Sequence, residues 1–247
     1  MVRKLGLCLV ASLLLCVAMP VHADTVNVVG AGALPGTAAD LTGTNVTEIT
    51  GSIPDTSDPL LGVEMFKLNI SDYLDFSAIA NGLAFGITDT ELFLFDSTGA
   101  GVYGNDDQGG GDPLAFSLSC LPSADGANPC PSARPSGVGP TSDGIYYLAI
   151  TRASNGPLDG DGNEIFNIFN STDVVGPSSL NPITNWDGGA FTSADTDLVN
   201  FDITLTGVSA AVPEPGVLGL LALGLLCIAL RKRQLTICGN SRSQLNS

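Results

Sequence analysis

Apolar and polar residues alternate along much of the chain after Asp24. The clearest stretch is 198–206, where every second residue from Val199 to Leu205 is apolar and the residues between them are polar. The shorter stretch 66–70 alternates in the same way. This pattern is typical of a strand with one buried and one solvated face. Both stretches therefore predict half-buried antiparallel strands.

Two other stretches are apolar at nearly every position: 91–95 (ELFLF) and 145–150 (IYYLAI). Such runs predict interior strands that are covered on both faces. Weaker strand candidates occupy 25–29, 83–87, 115–118 and 165–169, and residues 72–80 suit one or two helical turns. Clusters of Gly, Pro, Asn and Asp separate the candidates, as turns do. The pattern predicts an all-β fold, an antiparallel β-sandwich.

One domain at 24–211 accommodates these strands, because all-β domains of about 190 residues are common. Residues 119–140 suit a surface insertion, and residues 170–197 suit a second long loop. No internal repeat of fixed period is visible in the sequence.

The first 23 residues have the pattern of a secretory signal peptide. Arg3 and Lys4 precede an apolar run at 5–17, and small residues lead to a cleavage site after Ala23. An uncleaved N-terminal membrane anchor is the alternative. The signal-peptide interpretation predicts that the following domain is exported.

The segment 212–233 contains Pro213-Glu214-Pro215, an uncharged apolar run at 216–230 and the basic cluster Arg231-Lys232-Arg233. As a helix the run is about 22 Å long, shorter than the roughly 30 Å of a bilayer core. The basic cluster orients it with this end in the cytoplasm. We expect a temporary inner-membrane anchor, followed by a short polar tail at 234–247.

All 25 acidic residues and only three basic ones, Lys67, Arg134 and Arg152, lie between Asp24 and Glu214, which leaves this segment a net charge of −22. Such a charge repels nucleic acid and anionic lipid, and excludes both as partners. Most of the acids are Asp, a residue of turns and caps. Two interpretations remain: divalent-cation sites in the loops, or an acidic surface suited to salty surroundings.

The acidic loops contain two candidate calcium sites. Asp159, Asp161, Asn163 and Glu164 place oxygen ligands along a Gly-containing turn, and Asn105, Asp106 and Asp107 form a second acidic turn. Hard cations such as Ca²⁺ take oxygen ligands in this kind of loop. The alternative is that these side chains cap their own turns.

Catalytic chemistry has few candidates. The only histidine, His22, precedes the predicted cleavage site. The exported segment therefore has no imidazole to act as a catalytic base or to bind zinc. We expect Cys120 and Cys130 to form a disulfide in an oxidising compartment, with two unrelated thiols as the alternative. Trp186 in a Gly-Asp loop is the one candidate for an exposed glycan platform.

The segment 212–233, with Pro213-Glu214-Pro215, an apolar helix and Arg231-Lys232-Arg233, resembles the PEP-CTERM sorting signal of Gram-negative bacteria. The resemblance implies removal of the helix by an exosortase, a membrane protease of the host. It also implies delivery to the cell surface or beyond, and association with biofilm or exopolysaccharide.

The middle of the chain, about residues 58–152, resembles the bacterial pre-peptidase C-terminal domain, a jelly-roll-like β-sandwich. The resemblance rests on ELFLFD at 91–96 with Gly99, on Asn105-Asp106-Asp107 and on DGIYYL at 143–148. Such domains are mostly accessory modules without catalysis of their own. The first hypothesis is therefore a non-catalytic exported protein; a calcium-dependent carbohydrate-binding module and a secreted hydrolase with paired carboxylates are the alternatives.

Overall fold

The computed structural model describes residues 23–53, 58, 60–81, 89–108, 118–126, 130–152, 154–168, 172–188 and 199–210. All of them belong to one compact unit, Met1–Ala210. Most of the predicted signal peptide, the strand candidate 83–87, most of 115–118, the motif Pro213-Glu214-Pro215, the apolar run 216–230 and the basic cluster lie outside the described residues. In the part of the chain that is described, no helix is long and apolar enough to cross a membrane.

Strands are the regular elements of the described residues. In chain order they are β1 (Asp24–Val28), β2 (Ala39–Asp40), β3 (Val46–Ile53), β4 (Val63–Ile70), β5 (Ser77–Asn81), β6 (Thr90–Asp96), β7 (Gly101–Asn105), β8 (Cys120–Leu121), β9 (Gly144–Arg152), β10 (Pro157–Asp159), β11 (Ile183–Trp186) and β12 (Val199–Thr206).

The strands form two five-stranded sheets and one two-stranded sheet. The first sheet has the order β1-β3-β12-β5-β8, the second has the order β2-β4-β9-β6-β7, and β10 pairs with β11. The prediction of an all-β sandwich is confirmed. Both large sheets are mixed instead of purely antiparallel, because the edge strands β1 and β2 run parallel to β3 and β4.

The inner core lies between the two large sheets. Strand β12 contributes Phe201, Ile203 and Leu205 to it, so the alternation seen in the sequence separates core from solvent. Strand β4 contributes Phe66, Leu68 and Ile70 in the same way. The rings of Phe66 and Phe201 lie 6.0 Å apart across this core.

The second sheet is also covered on its other face. We call residues 154–188 the outer layer; it contains β10 and β11 and mostly irregular backbone. Its apolar side chains form a second core with the interior strands β6 and β9 and with β4. The members include Phe93, Phe95, Ala149, Met65, Ile165, Phe166, Ile183 and Trp186. The prediction that 91–95 and 145–150 are covered on both sides is confirmed.

Three local predictions are wrong. Residues 77–81 form strand β5 instead of a helical turn, because Ala78 and Ala80 face the inner core in alternation with Ile79 and Asn81. The described residues of 165–169 form no strand, yet Ile165 and Phe166 are buried in the second core. The segment 119–140 does not lie wholly at the surface, since its Leu121 is fully buried in β8 beside β5.

Candidate metal centre

Trp186 is not a glycan platform. Its side chain is only 1 % exposed, and its indole Nε1–H donates a hydrogen bond of 2.8 Å to the carbonyl oxygen of Ala33. The ring meets those of Phe93 and Phe95 edge-on, at centroid distances of 5.7 and 6.4 Å. The loop context suggested exposure, but the layer folds back onto β6 and buries the ring.

The loop 159–164 is organised around one carboxylate that serves the loop itself. Asp159 accepts hydrogen bonds from the backbone N–H groups of Asp161 and Asn163, both at 2.9 Å. It also accepts from the Ser179 hydroxyl at 2.7 Å and from the Asn181 amide at 3.3 Å. These donors, Ser179 foremost, lower the pKa of Asp159. This geometry is that of turn capping.

The other predicted ligands of that loop do not converge with Asp159. Asp161 and Glu164 are exposed, and Asn163 donates its side-chain amide to Asp159. An amide that donates to a carboxylate points its N–H group, and not an oxygen ligand, at the position a cation would need. The structure therefore supports the capping alternative for this loop.

Asn105, in the second predicted site, is a structural residue. It is fully buried, and its Oδ1 accepts the backbone N–H of Cys120 at 2.8 Å. Its Nδ2 donates to the carbonyl oxygens of Asp107 and Asp173 at 2.9 and 3.3 Å. Because every polar atom of the side chain is occupied, Asn105 positions the turn and is not a free ligand.

The disulfide lies directly beside this turn. Cys120 and Cys130 are bonded, with their Cα atoms 5.8 Å apart. Because the backbone N–H of Cys120 is held by Asn105, the bridge braces the segment that follows β7.

Asp106 and Asp107 come together with a third carboxylate that the sequence analysis missed. One oxygen from each of Asp89, Asp106 and Asp107 lies within 4.8 Å of the others, and we call this group the acidic centre. Asp89 is exposed, Asp107 is half-buried and Asp106 is buried. Among the described residues it is the one convergence of three acidic side chains.

Strand pairing brings these residues together. Strands β6 and β7 are antiparallel, and Leu92 lies opposite Asn105. Residues just before β6 and just after β7 therefore meet at one end of the pair. Asp89 is separated from Asp106 by the whole hairpin, so the convergence becomes visible only when the register is known.

Glu91 lies on β6, at the same end of the strand pair as the acidic centre. Its side chain is 3 % exposed, and its Oε1 accepts the backbone N–H of Ser154 at 2.9 Å. Its Oε2 is buried and has no hydrogen-bond partner in the described part of the chain. Burial raises the pKa of Glu91 to about 8, and the charge of Asp106 adds to this rise.

Two carboxyls of the centre, those of Asp107 and Asp89, have pKa values raised in the same way. Burial, and then the charge of Asp89, raises the pKa of Asp107 to about 6. Burial also raises the pKa of Asp89. Positive side chains make no contribution to the pKa of Asp89, Glu91 or Asp107. The site brings three carboxylates together at the end of the strand pair that also holds Glu91.

A separate polar cleft of about 500 Å³ lies at the opposite end of β6 and β7. Its lining includes the turn residues Asp96 and Ser97 and the segment 137–146. Asp96 accepts hydrogen bonds from the backbone and hydroxyl of Thr98, and Asp143 accepts the backbone N–H of Tyr73. Both carboxylates are thus committed to the fold, and hydroxyl and backbone groups line much of the cleft.

The comparisons with known proteins concern the end of the chain. Residues 211–234 match the model described as the PEP-CTERM protein-sorting motif. A comparison with curated proteins finds no match. The likeness of the middle region to the pre-peptidase C-terminal domain stays a prediction. The expected sorting signal is confirmed, and this motif implies an exported protein whose membrane-anchored precursor is processed by an exosortase.

Proposed function

We propose that the exported domain is a non-catalytic component of the cell surface or extracellular matrix, associated with exopolysaccharide. The sorting motif at 211–234 carries this proposal, since it directs a β-sandwich domain out of the cell. The domain acts there by binding, and the charge of −22 on the segment from Asp24 to Glu214 keeps it apart from nucleic acid and anionic lipid.

The residues of the exported segment support a role without catalysis. Its sequence contains no histidine, and Cys120 and Cys130 are joined in a disulfide. Nucleophilic catalysis by serine or cysteine usually needs a neighbouring base such as imidazole. Asp96 and Asp143 in the cleft are occupied by backbone donors. These observations favour a binding protein over a hydrolase.

The polar cleft is the best place for a saccharide unit. Its volume of about 500 Å³ lies within the roughly 300–1,000 Å³ of small-ligand sites. Ser97, Thr141 and Ser142 line it with exposed hydroxyl groups, which suit the hydroxyls of a sugar. The acidic centre lies at the other end of β6, roughly 20 Å away at about 3.3 Å per residue. A cation there does not touch a sugar in the cleft.

Export is tested by fractionating producing cells that express the full chain. We expect the wild-type domain in the surface or matrix fraction, and a Pro213→Ala, Pro215→Ala variant to remain as membrane-bound precursor. Pro135→Ala, in the exported domain, is the matched control and should be sorted normally. A wild-type chain that stays in the cytoplasm contradicts the proposal.

Exopolysaccharide binding is tested by sedimentation with the purified polymer of the same cells. Ser97→Ala combined with Thr141→Ala should weaken binding by about tenfold, since each hydroxyl contributes on the order of 1 kcal/mol. Thr184→Ala, an exposed threonine of β11 outside the cleft, should bind as wild type does. Equal binding by wild type, the double variant and Thr184→Ala would exclude the cleft as the binding site. Absence of binding by wild type would exclude exopolysaccharide as the partner.

A further inference from the structure

We propose that the acidic centre is a structural site for one hard divalent cation, Ca²⁺ by preference, with Asp89, Asp106 and Asp107 as ligands and Glu91 as a buried carboxylate at the same end of the strand pair. This inference does not depend on the function proposed for the cleft. It joins predicted ligands from the turn after β7 to a residue that precedes β6.

The spacing of the carboxylates fits calcium. Calcium binds oxygen at about 2.3–2.6 Å, so two oxygens of one ion lie at most about 4.6–5.2 Å apart. The oxygens of the acidic centre lie within 4.8 Å of one another. Mg²⁺ is usually bound through only one or two carboxylates and keeps several waters, so three protein carboxylates favour Ca²⁺. Zinc prefers nitrogen and sulfur ligands, which the centre lacks.

Glu91 provides independent evidence for a cation. A buried carboxylate oxygen without a partner is costly, because it has lost water and gained no donor. Glu91 Oε2 is such an atom, and the residue that carries it is only 3 % exposed. Glu91 precedes Leu92 and Asp106 follows its cross-strand partner Asn105, so the two carboxyls lie at the same end of the pair. A cation, directly or through its water, supplies the missing partner.

The charge balance points in the same direction. Two of the three basic residues of the exported segment are engaged elsewhere: Lys67 contacts Asp40 at 3.1 Å, and Arg134 donates to the carbonyl oxygens of Val138 and Pro140. The third, Arg152, lies opposite Thr90 on β9, and a bound ion adds positive charge to a group of three carboxylates. Exposed Asp89 leaves a route from solvent, and water can complete the six to eight ligands that Ca²⁺ takes.

Calcium binding is measured on the full chain, expressed with both terminal segments and purified as the cells deliver it. Isothermal titration with CaCl₂, after removal of metal with chelator, should detect one ion per chain. Thermal melting at constant ionic strength should show a higher midpoint with Ca²⁺ than with EDTA. Magnesium at the same concentration should give a smaller increase.

Matched variants locate the site. Asp89→Asn and Asp107→Asn should each weaken calcium binding by about tenfold or more, since each removes a charged ligand. Asp161→Asn and Glu164→Gln remove equal charge from the exposed part of the capped loop and should leave the affinity unchanged. Both ligand variants alter side chains that are at least partly exposed, so the fold should persist.

Two results overturn the proposal. One is wild-type protein that neither binds Ca²⁺ in the titration nor melts at a higher temperature with it. The other is equal calcium affinity in Asp107→Asn and Asp161→Asn, which would reduce binding to general attraction by an acidic surface. Glu91→Gln adds a graded test: calcium should still bind, several-fold more weakly, and unchanged affinity would remove Glu91 from the site.

Discussion

The outer layer and the acidic centre both contain an acidic turn, but they neutralise it differently. In the outer layer, Asp159 is surrounded by hydroxyl, amide and backbone donors of its own chain. In the acidic centre, oxygens of Asp89, Asp106 and Asp107 lie within 4.8 Å of one another, and the charge of Asp106 acts on the buried Glu91. The pKa of Asp159 is lowered, whereas those of Glu91 and Asp107 are raised. Similar sequence patterns therefore produced a self-contained cap in one place and a cluster of three carboxylates in the other.

The difference shows what decides whether an acidic turn can bind a cation. A carboxylate that already accepts several hydrogen bonds gains little from an ion. Carboxylates that meet across two strands repel one another, and a cation between them offsets that repulsion. Convergence from separate elements, and not ligand spacing within one loop, distinguishes the two sites. The following experiments change one region and compare it with the other.

The largest effect should come from Trp186→Ala, which removes the anchor of the outer layer. Truncation of a buried aromatic side chain usually costs about 3–5 kcal/mol of unfolding free energy. Because Trp186 also pairs with Pro157 in β10, the strand that ends at Asp159 should loosen. Urea denaturation measures the loss, and Trp186→Phe is the milder control. A loss below about 1 kcal/mol would contradict the second core as a stabilising element.

Removal of the disulfide should have the next largest effect, on the side of the acidic centre. A double Cys120→Ser, Cys130→Ser variant should lose about 2–3 kcal/mol, the entropy that closing a loop of this length removes from the unfolded chain. Denaturation with and without reductant measures it. Reductant should destabilise wild type by a similar amount and leave the variant unchanged.

The pH dependence should distinguish the two regions in the presence of chelator. The pKa values of Glu91 and Asp107 are about 8 and about 6 in the folded protein, against about 4 in the unfolded chain. The unfolded chain therefore loses these protons first, and stability should fall as pH rises from about 4 to about 8. The negative groups that act on them are Asp106, Asp187 and Asp89.

The raised pKa values of Glu91 and Asp107 also set the expected size of this pH effect. The folding equilibrium constant should fall by about tenfold or more over that range, since one pKa unit corresponds to tenfold. Urea denaturation at several pH values measures it, and Glu91→Gln should flatten the curve. The lowered pKa of Asp159 stabilises the fold above about pH 4, and this stabilisation is lost only as the pH falls below that value. An unfolding free energy that does not change with pH above 5 would contradict the predicted difference between the acidic centre and the outer layer.

The smallest effect should come from single carboxylates of the outer layer. Asp159→Asn should destabilise the protein, because a neutral amide accepts fewer and weaker hydrogen bonds from Asp161, Asn163 and Ser179. Asp161→Asn should stay within about 0.5 kcal/mol of wild type, as surface substitutions usually do. Equal melting temperatures for the two variants would contradict the capping role of Asp159.

Local pattern predicted the strands that lie in the inner core. Stretches 66–70 and 198–206 alternate because one face of each is buried and the other solvated, and the structure contains both as β4 and β12. Predictions failed where apolar residues are buried without regular structure. Ile165 and Phe166 are not part of a strand, because they are held in the second core by side-chain packing and not by a ladder of backbone hydrogen bonds.

The candidate site was predicted in part, for a similar reason. Asp106 and Asp107 stood out because they are adjacent acids in a turn, whereas Asp89 just precedes, and Glu91 lies near the start of, a strand that otherwise looks apolar. Asn105 looked like a ligand because its type is right, but its contacts are with the backbone of Cys120, Asp107 and Asp173. Residue type is local information; hydrogen-bond partners across strands are not.

The sequence by itself determined the sorting motif at 211–234, the acidic charge and the all-β class, because each is encoded in contiguous residues or in total composition. Tertiary structure alone decided that Trp186 is buried and that Asp89 meets Asp106 and Asp107. It also decided that Asp159 caps its own loop. These outcomes depend on which strands pair and which layer covers them, and residues far apart in the chain set both.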